Sequence, residues 1–216
     1  MKEPNRERKQ DIKYKITLNE EQKEVKRLII ENQIVIITGR AGCGKSLVSA
    51  QCALDFLFKK QCDQILVTRA AVEVGHSLGF LPGSLNEKFD PYLEAFQENL
   101  VKCYDKVKVE ELIRDSKVIA LPVQFIRGKT VDDILIVEEA QNLTKAEMLA
   151  ILTRLGKTGK MIINGDNEQK DIKDAFNGLS YVIELSKKIK EIKWMKLKHN
   201  HRSDLVGKIL DFEYGK

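Results

Sequence analysis

Residues 39–46 read Gly39-Arg40-Ala41-Gly42-Cys43-Gly44-Lys45-Ser46, and this stretch decides the fold. It satisfies G-x-x-x-x-G-K-S between an apolar run, Ile34-Val35-Ile36-Ile37, and a run with helical spacing from Leu47 to Phe58. Strand, glycine-rich loop and helix in that order make a phosphate cradle. Glycines let the backbone curl so that successive N–H groups point inward, and a helix starting at Lys45 adds its positive dipole end there. In such a loop Lys45 reaches the β- and γ-phosphates and Ser46 ligates Mg²⁺. The expected ligand is therefore a nucleoside triphosphate.

Outward from the loop, strands and helices alternate. Ile65-Leu66-Val67-Thr68 reads as a strand with Arg69 at its carboxyl end. Residues 70–85 read as a glycine-rich loop with a short helix. Phe89, Tyr92, Leu93, Phe96, Leu100 and Val101 then recur at helical spacing, as a core stripe rather than a base-stacking platform. A short helix follows near 107–115, then a strand at Val118-Ile119-Ala120-Leu121 and a basic loop, Phe125 to Thr130, whose Arg127 and Lys129 suit nucleic-acid phosphates. Ile134-Leu135-Ile136-Val137 is apolar throughout and reads as a buried parallel strand. It delivers Glu138 and Glu139 to the edge beside the phosphate loop. One carboxylate suits the Mg²⁺ shell and the next suits a general base for the attacking water.

Thr144-x-x-Glu147 is a capping box opening a helix that runs to Leu155, with Gly156 as its C-cap. Met161-Ile162-Ile163-Asn164 is the next strand, ending in Gly165-Asp166-Asn167-Glu168-Gln169, polar residues placed to sense a γ-phosphate. Residues 178–190 read as a helix, Trp194-Met195-Lys196-Leu197 as a last strand, and 204–212 as a final helix capped by Ser203. The alternation around the phosphate loop predicts one α/β domain of P-loop NTPase type, and the resemblance given below implies the RecA-like form of it. Its sheet is mostly parallel, with helices on both faces and a helical insertion.

Upstream, Thr17-Leu18-Asn19-Glu20 opens a helix that carries Gln22. A glutamine amide donates and accepts at once, which suits the N6/N7 edge of adenine. Residues 1–15 read as a flexible arm and 16–216 as the domain.

Composition excludes other classes. Lys and Arg exceed Asp and Glu by 37 to 32 in 216 residues, a mild +5 that permits nucleic acid without demanding it. The cysteines at 43, 52, 62 and 103 form no C-x-x-C pair, and His76, His199 and His201 follow no metal-ligand spacing. No signal peptide or membrane span is legible, so a cytoplasmic location with reduced thiols is expected. Cys43 precedes a helix N-terminus, where thiolate is favoured, but the weightier reading is a small residue tolerated at a variable position.

The loop at 39–46, the segments at 68–96 and 125–130 (FIRGKT), EEAQN at 138–142, LTRLG at 152–156 and GDNEQ at 165–169 together resemble PhoH-like proteins, ATPases related to the motor core of superfamily-1 helicases. The resemblance spans about residues 17–213. It implies that Asn19 and Gln22 read adenine, and that Gly39, Arg40, Ala41, Gly42, Cys43, Gly44, Lys45 and Ser46 cradle the phosphates of ATP. Ser46 and Glu138 attend Mg²⁺, and Glu139 is the catalytic glutamate. Gln141 and Gln169 contact γ-phosphate and water.

Leu197-x-x-Asn200-His201-Arg202-Ser203 is similar to a helicase motif with tyrosine at the His201 position, which makes Arg202 the arginine finger. The implied partner is single-stranded nucleic acid, RNA in the first place, touched by Arg69, Arg127 and Lys129. The implied assembly is a homo-oligomeric ring, a hexamer among the candidates, since one RecA-like lobe does not unwind a duplex alone. One departure stands out: Glu138 occupies a position that is aspartate in the family. The rival reading is a nucleotide-dependent nucleic-acid-binding or assembly module with weak or no turnover.

Overall fold

A computed structural model describes residues 12–70, 85–169, 176–201 and 203–213. The chain opens with α1 (Glu20–Glu31), β1 (Ile34–Thr38), α2 (Lys45–Phe58) and β2 (Ile65–Arg69). Helices α3 (Leu85–Cys103) and α4 (Lys106–Arg114) follow, then β3 (Val118–Ala120) and the short α5 (Val123–Ile126). The second half alternates β4 (Ile134–Glu138), α6 (Lys145–Leu152), β5 (Lys160–Gly165), α7 (Gly178–Lys188), β6 (Ile192–Lys196) and α8 (Asp204–Glu213). The loop expected over 70–85 lies, apart from its two ends, outside the described residues.

Among the described residues all pairings are parallel, and the strands lie in the order β3-β2-β4-β5-β1-β6. The apolar runs explain the layering. Successive residues of a strand face opposite sides of the sheet. In β4, Ile134 and Ile136 join the core under α1 to α4, whereas Leu135 and Val137 join the core under α5, α6 and α7. All four are fully buried, so an alternating polar pattern would leave one layer without a floor.

Helix starts follow local chemistry. Asn19 and Gln22 form a reciprocal capping box on α1, and Thr144 and Glu147 form another on α6. Asp105 and Asn177 cap α4 and α7.

Some boundaries differ from the sequence reading. The segment expected as a basic loop from Phe125 begins inside α5, because Pro122 presets the first turn. Strand β6 starts two residues before Trp194, because Ile192 pairs beside Ile34 and is buried at the sheet's end. The arm expected over 1–15 is held at its last residues: the Tyr14 hydroxyl donates to Asp55 at 2.7 Å, and the Lys15 amide donates to the Cys103 carbonyl at 2.8 Å. Tyr14 also packs its ring on Tyr104, and burying that aromatic surface anchors the segment.

Because every strand runs the same way, every carboxyl end meets one edge of the sheet. The loop after Thr38, Arg69, Glu138, Gly165 and the segment after Lys196 therefore share that edge.

Candidate active site

The phosphate loop begins where β1 ends. Gly42 and Gly44 both have φ of 87°, the left-handed region that favours glycine. A Cβ on Gly44 would collide with the Gln22 amide nitrogen, so α1 seals directly against the loop. Where α1, α4, α6 and α7 are capped by Asn, Asp or Thr, α2 starts at Gly44 with no side-chain cap and no acid in its first turn. Its first amides therefore remain available to an anion, with the helix dipole behind them. The Lys45 ammonium lies within the loop, 2.5 Å from the Gly39 carbonyl and 3.4 Å from that of Arg40.

From the far side β4 brings its carboxylates. The Ser46 hydroxyl donates to Glu138 Oε2 at 2.9 Å, so the two residues expected at a metal are in contact. Asn164, fully buried at the end of β5, donates to Glu138 Oε1 at 2.9 Å and to the Ser49 hydroxyl at 2.9 Å. Burial pushes the Glu138 carboxyl above the ordinary carboxylate range, and the hydrogen bonds from Asn164 and Ser46 oppose that shift.

Glu139 stands in the left-handed region at φ 51° and ψ 45°, starting a single 3₁₀ turn through Asn142. Its Oε2 accepts from the Gln141 amide at 2.6 Å. Gln141 is itself fully buried. Its Nε2 also donates to the Gln169 carbonyl at 3.2 Å, and its Oε1 accepts from the Asp166 amide at 2.9 Å. Gln169 thus joins the cluster through its backbone. Arg40 extends outward from the loop and pairs with Glu168 at 2.9 Å and Asp211 at 2.6 Å, tying α8 to the cradle.

Beside Ser46, Glu138 and Glu139 opens a cleft lined by Thr68, Arg69, Phe96 and Leu121. Arg69 stands opposite Glu138 in the β2–β4 register, at the same edge. Arg127 and Lys129 do not join it. Both are exposed on the segment that runs back toward the start of β4, where the Arg127 carbonyl accepts from Arg154 at the end of α6. Arg202 lies outside the described residues. Asn164 was not singled out from sequence as a site residue; the signal was a lone amide closing an apolar strand. Among the described residues no cluster of three or more His, Cys, Asp or Glu side chains is placed to hold a metal, so a cation here would rest on Glu138, Ser46 and ligand oxygens.

Cys43 is the inert small residue rather than the thiolate. It is 2 % exposed, and desolvation pushes its thiol up despite the nearby Lys45 ammonium. Burial outweighs the helix end, so the thiolate is not favoured. Iodoacetamide at neutral pH should alkylate Cys43 at least about tenfold more slowly than free cysteine, as read by peptide mass spectrometry. Rapid modification would show that the loop opens.

The comparison with known families decides the assignment. The family described as PhoH-like protein matches residues 15–213. The chain belongs to that family. It is 39% identical over 194 residues to the PhoH-like protein of Bacillus subtilis, covering 88% of this chain and 61% of the relative. It is 38% identical over 170 residues to protein PhoH of Escherichia coli, covering 77% of this chain and 48% of the relative. It thus spans about half to three-fifths of these relatives' length. Among solved structures, the large terminase from a thermophilic bacteriophage superposes with a TM-score of 0.55 at 10% identity, over 91% of this chain and 50% of that one. That likeness fixes the P-loop fold and says nothing of substrate. In this PhoH-like chain the family's phosphate loop and carboxylate strand are thus both present and in contact.

Proposed function

We propose that this PhoH-like chain hydrolyses ATP and couples the cycle to single-stranded nucleic acid, RNA in the first place. The observation that carries the proposal is the contact between Ser46 and Glu138, flanked by a Glu139 carboxylate held by Gln141. The donor set suits a magnesium ion: a hydroxyl and a buried carboxylate whose raised proton affinity a dication would lower. When bound, Mg²⁺ would neutralise charge on the phosphates between Ser46 and Glu138. The chain's own residues do the rest. The open amides of α2 and the Lys45 ammonium hold the β- and γ-phosphoryl oxygens. Glu139 takes the proton of the attacking water, and Gln141 holds that carboxylate in place.

Arg202 would stabilise charge on the transferring phosphoryl group. A homo-oligomeric ring could supply it from a neighbouring copy. Residues 16–216 are read as one ATPase domain. Its unbridged cysteines suit a reducing cytoplasm, and no described helix is long and apolar enough to cross a membrane.

The second reading, a nucleotide-switched binding or assembly module, is favoured by Glu138 alone: its longer arm already occupies Ser46. Phosphate release measured with and without single-stranded RNA separates the two. Hydrolysis stimulated severalfold by RNA is expected. Tight MgATP binding without turnover in either condition would establish the module instead.

A further inference from the structure

Asn164 is a fully buried amide that follows the apolar run Met161-Ile162-Ile163 in β5. Withdrawing an amide from water is costly unless its polar atoms are bonded, so the groups it bonds to show what it is for. The period of two places it on the same face of the sheet as Ile162, in the core under α2. Strand β5 lies between β4 and β1, and Asn164 pairs beside Ile37 in the strand that leads into the phosphate loop. From there the side chain reaches two ways. Its Nδ2 donates to Glu138 Oε1 at 2.9 Å and to Ser49 Oγ at 2.9 Å. Ser49 is also fully buried, and its hydroxyl donates to the Lys45 carbonyl at 3.0 Å. Glu138 is thereby joined, through two side chains, to the turn of α2 whose amides face the phosphates.

The two oxygens of Glu138 are divided between different partners. Oε1 takes the Asn164 amide, and Oε2 takes the Ser46 hydroxyl, the group expected at a metal. A cation beside Ser46 therefore meets one carboxylate oxygen, while the other is held back by a buried donor. That asymmetry separates divalent cations. Mg²⁺ is small and demands near-ideal octahedral geometry, which the narrow bite of a two-oxygen carboxylate breaks. Ca²⁺ is larger, takes more oxygens and accepts both from one carboxylate.

We propose that Asn164 is a positioning residue that sets cation selectivity: by pinning Oε1 it makes Glu138 a one-oxygen ligand, which admits Mg²⁺ and disfavours Ca²⁺. This rests on the reading of Ser46 and Glu138 as the magnesium site and goes beyond it, because it names the residue that decides which cation fits. A glutamate side chain has several rotatable bonds. With Asn164 removed, the carboxylate is held on the Ser46 side only and can turn both oxygens to a cation. The anchor itself is rigid, since Asn164 is fixed by the β1–β5 register on one side and by Ser49 on the other.

The test measures how far a cation tightens nucleotide binding: the affinity for a fluorescent, non-hydrolysable ATP analogue in saturating Mg²⁺ or Ca²⁺, each divided by the affinity in EDTA. In the wild type Mg²⁺ should tighten binding about tenfold more than Ca²⁺ does. Asn164→Leu, close in volume, should keep the EDTA affinity within about threefold of wild type. It should lower the Mg²⁺ factor about tenfold, or about 1.4 kcal/mol, and bring the Mg²⁺ and Ca²⁺ factors within about threefold of each other. On a Glu138→Gln background the same substitution should move the Mg²⁺ factor by less than about twofold, because the charged oxygen it positions is gone. If Asn164→Leu does not fold, Asn164→Ser, smaller and still polar, is held to the same figures. Equal Mg²⁺ and Ca²⁺ factors in the wild type, or a Mg²⁺ preference that survives loss of Asn164, overturn the proposal. So does an equal loss of affinity in EDTA, which is the mark of a core brace. Failure of the underlying site reading shows in the wild type alone, as nucleotide affinity that EDTA leaves unchanged.

Discussion

Glu139→Gln should lower MgATP turnover by at least about a thousandfold while leaving MgATP affinity within about threefold of wild type. The backbone sets this up. After four buried apolar residues the chain leaves β4, and Glu139 takes a left-handed conformation at φ 51°. Its neighbour Glu138 turns to Ser46, and Glu139 turns instead to Gln141. The two carboxylates thus have separate partners. The 2.6 Å hydrogen bond from a fully buried amide fixes one oxygen of Glu139. An amide at this position can still satisfy Gln141 with its oxygen, so the fold and the cradle are undisturbed. It cannot take a proton from water at neutral pH. Single-turnover phosphate release gives the rate, and a fluorescent ATP analogue gives the affinity. A variant that turns over within tenfold of wild type would remove Glu139 from the chemistry. One that loses affinity in parallel would place it in ground-state binding.

Much of this site was legible in the sequence because its parts are local. Gly42, Gly44, Lys45 and Ser46 are fixed by spacing, since a phosphate cradle is made by one turn of backbone. Glu138 and Glu139 follow from a strand so apolar that it must be buried on both faces, which forces whatever comes next to the sheet edge. The capping box at Thr144 was readable for the same reason, as it closes within three residues; the one expected at Thr17 with Glu20 forms instead two residues on, at Asn19 with Gln22.

What escaped was the long-range part. Asn164 contacts Glu138 across 26 positions, Arg40 reaches Asp211 across 171, and His201 meets Gln22 across 179. No local period carries such information; it comes from which strands become neighbours. The order β4-β5-β1 sets Asn164 between the carboxylates and the loop. The thiolate alternative at Cys43 gives way for a related reason. The helix end that favours thiolate is local, but the burial that opposes it comes from the segment after β6 and from α1, packed on the loop.

Lys45→Ala is the complementary expectation: MgATP affinity falls about 100-fold, about 2.7 kcal/mol, and turnover becomes undetectable. The Lys45 ammonium now rests on carbonyls of its own loop, Gly39 at 2.5 Å and Arg40 at 3.4 Å, so a purely structural role as a staple is a real competitor. The two roles predict different things. A staple would cost stability when removed. A phosphate ligand would cost affinity in proportion to the phosphates it reaches. Alanine favours the first turn of α2 at least as well as lysine, but the carbonyls it frees belong to buried Gly39 and half-buried Arg40, so the melting temperature should fall, though by only a few degrees. The affinity loss should be large for ATP, smaller for ADP and nearly absent for AMP, because a lysine at the β- and γ-phosphates never meets the α-phosphate. AMP has no β- or γ-phosphate for Lys45 to meet, which makes it the internal control for a folded site. Equal losses for all three nucleotides, with a collapse in melting temperature, would make Lys45 a staple and leave the α2 amides as the phosphate-binding groups.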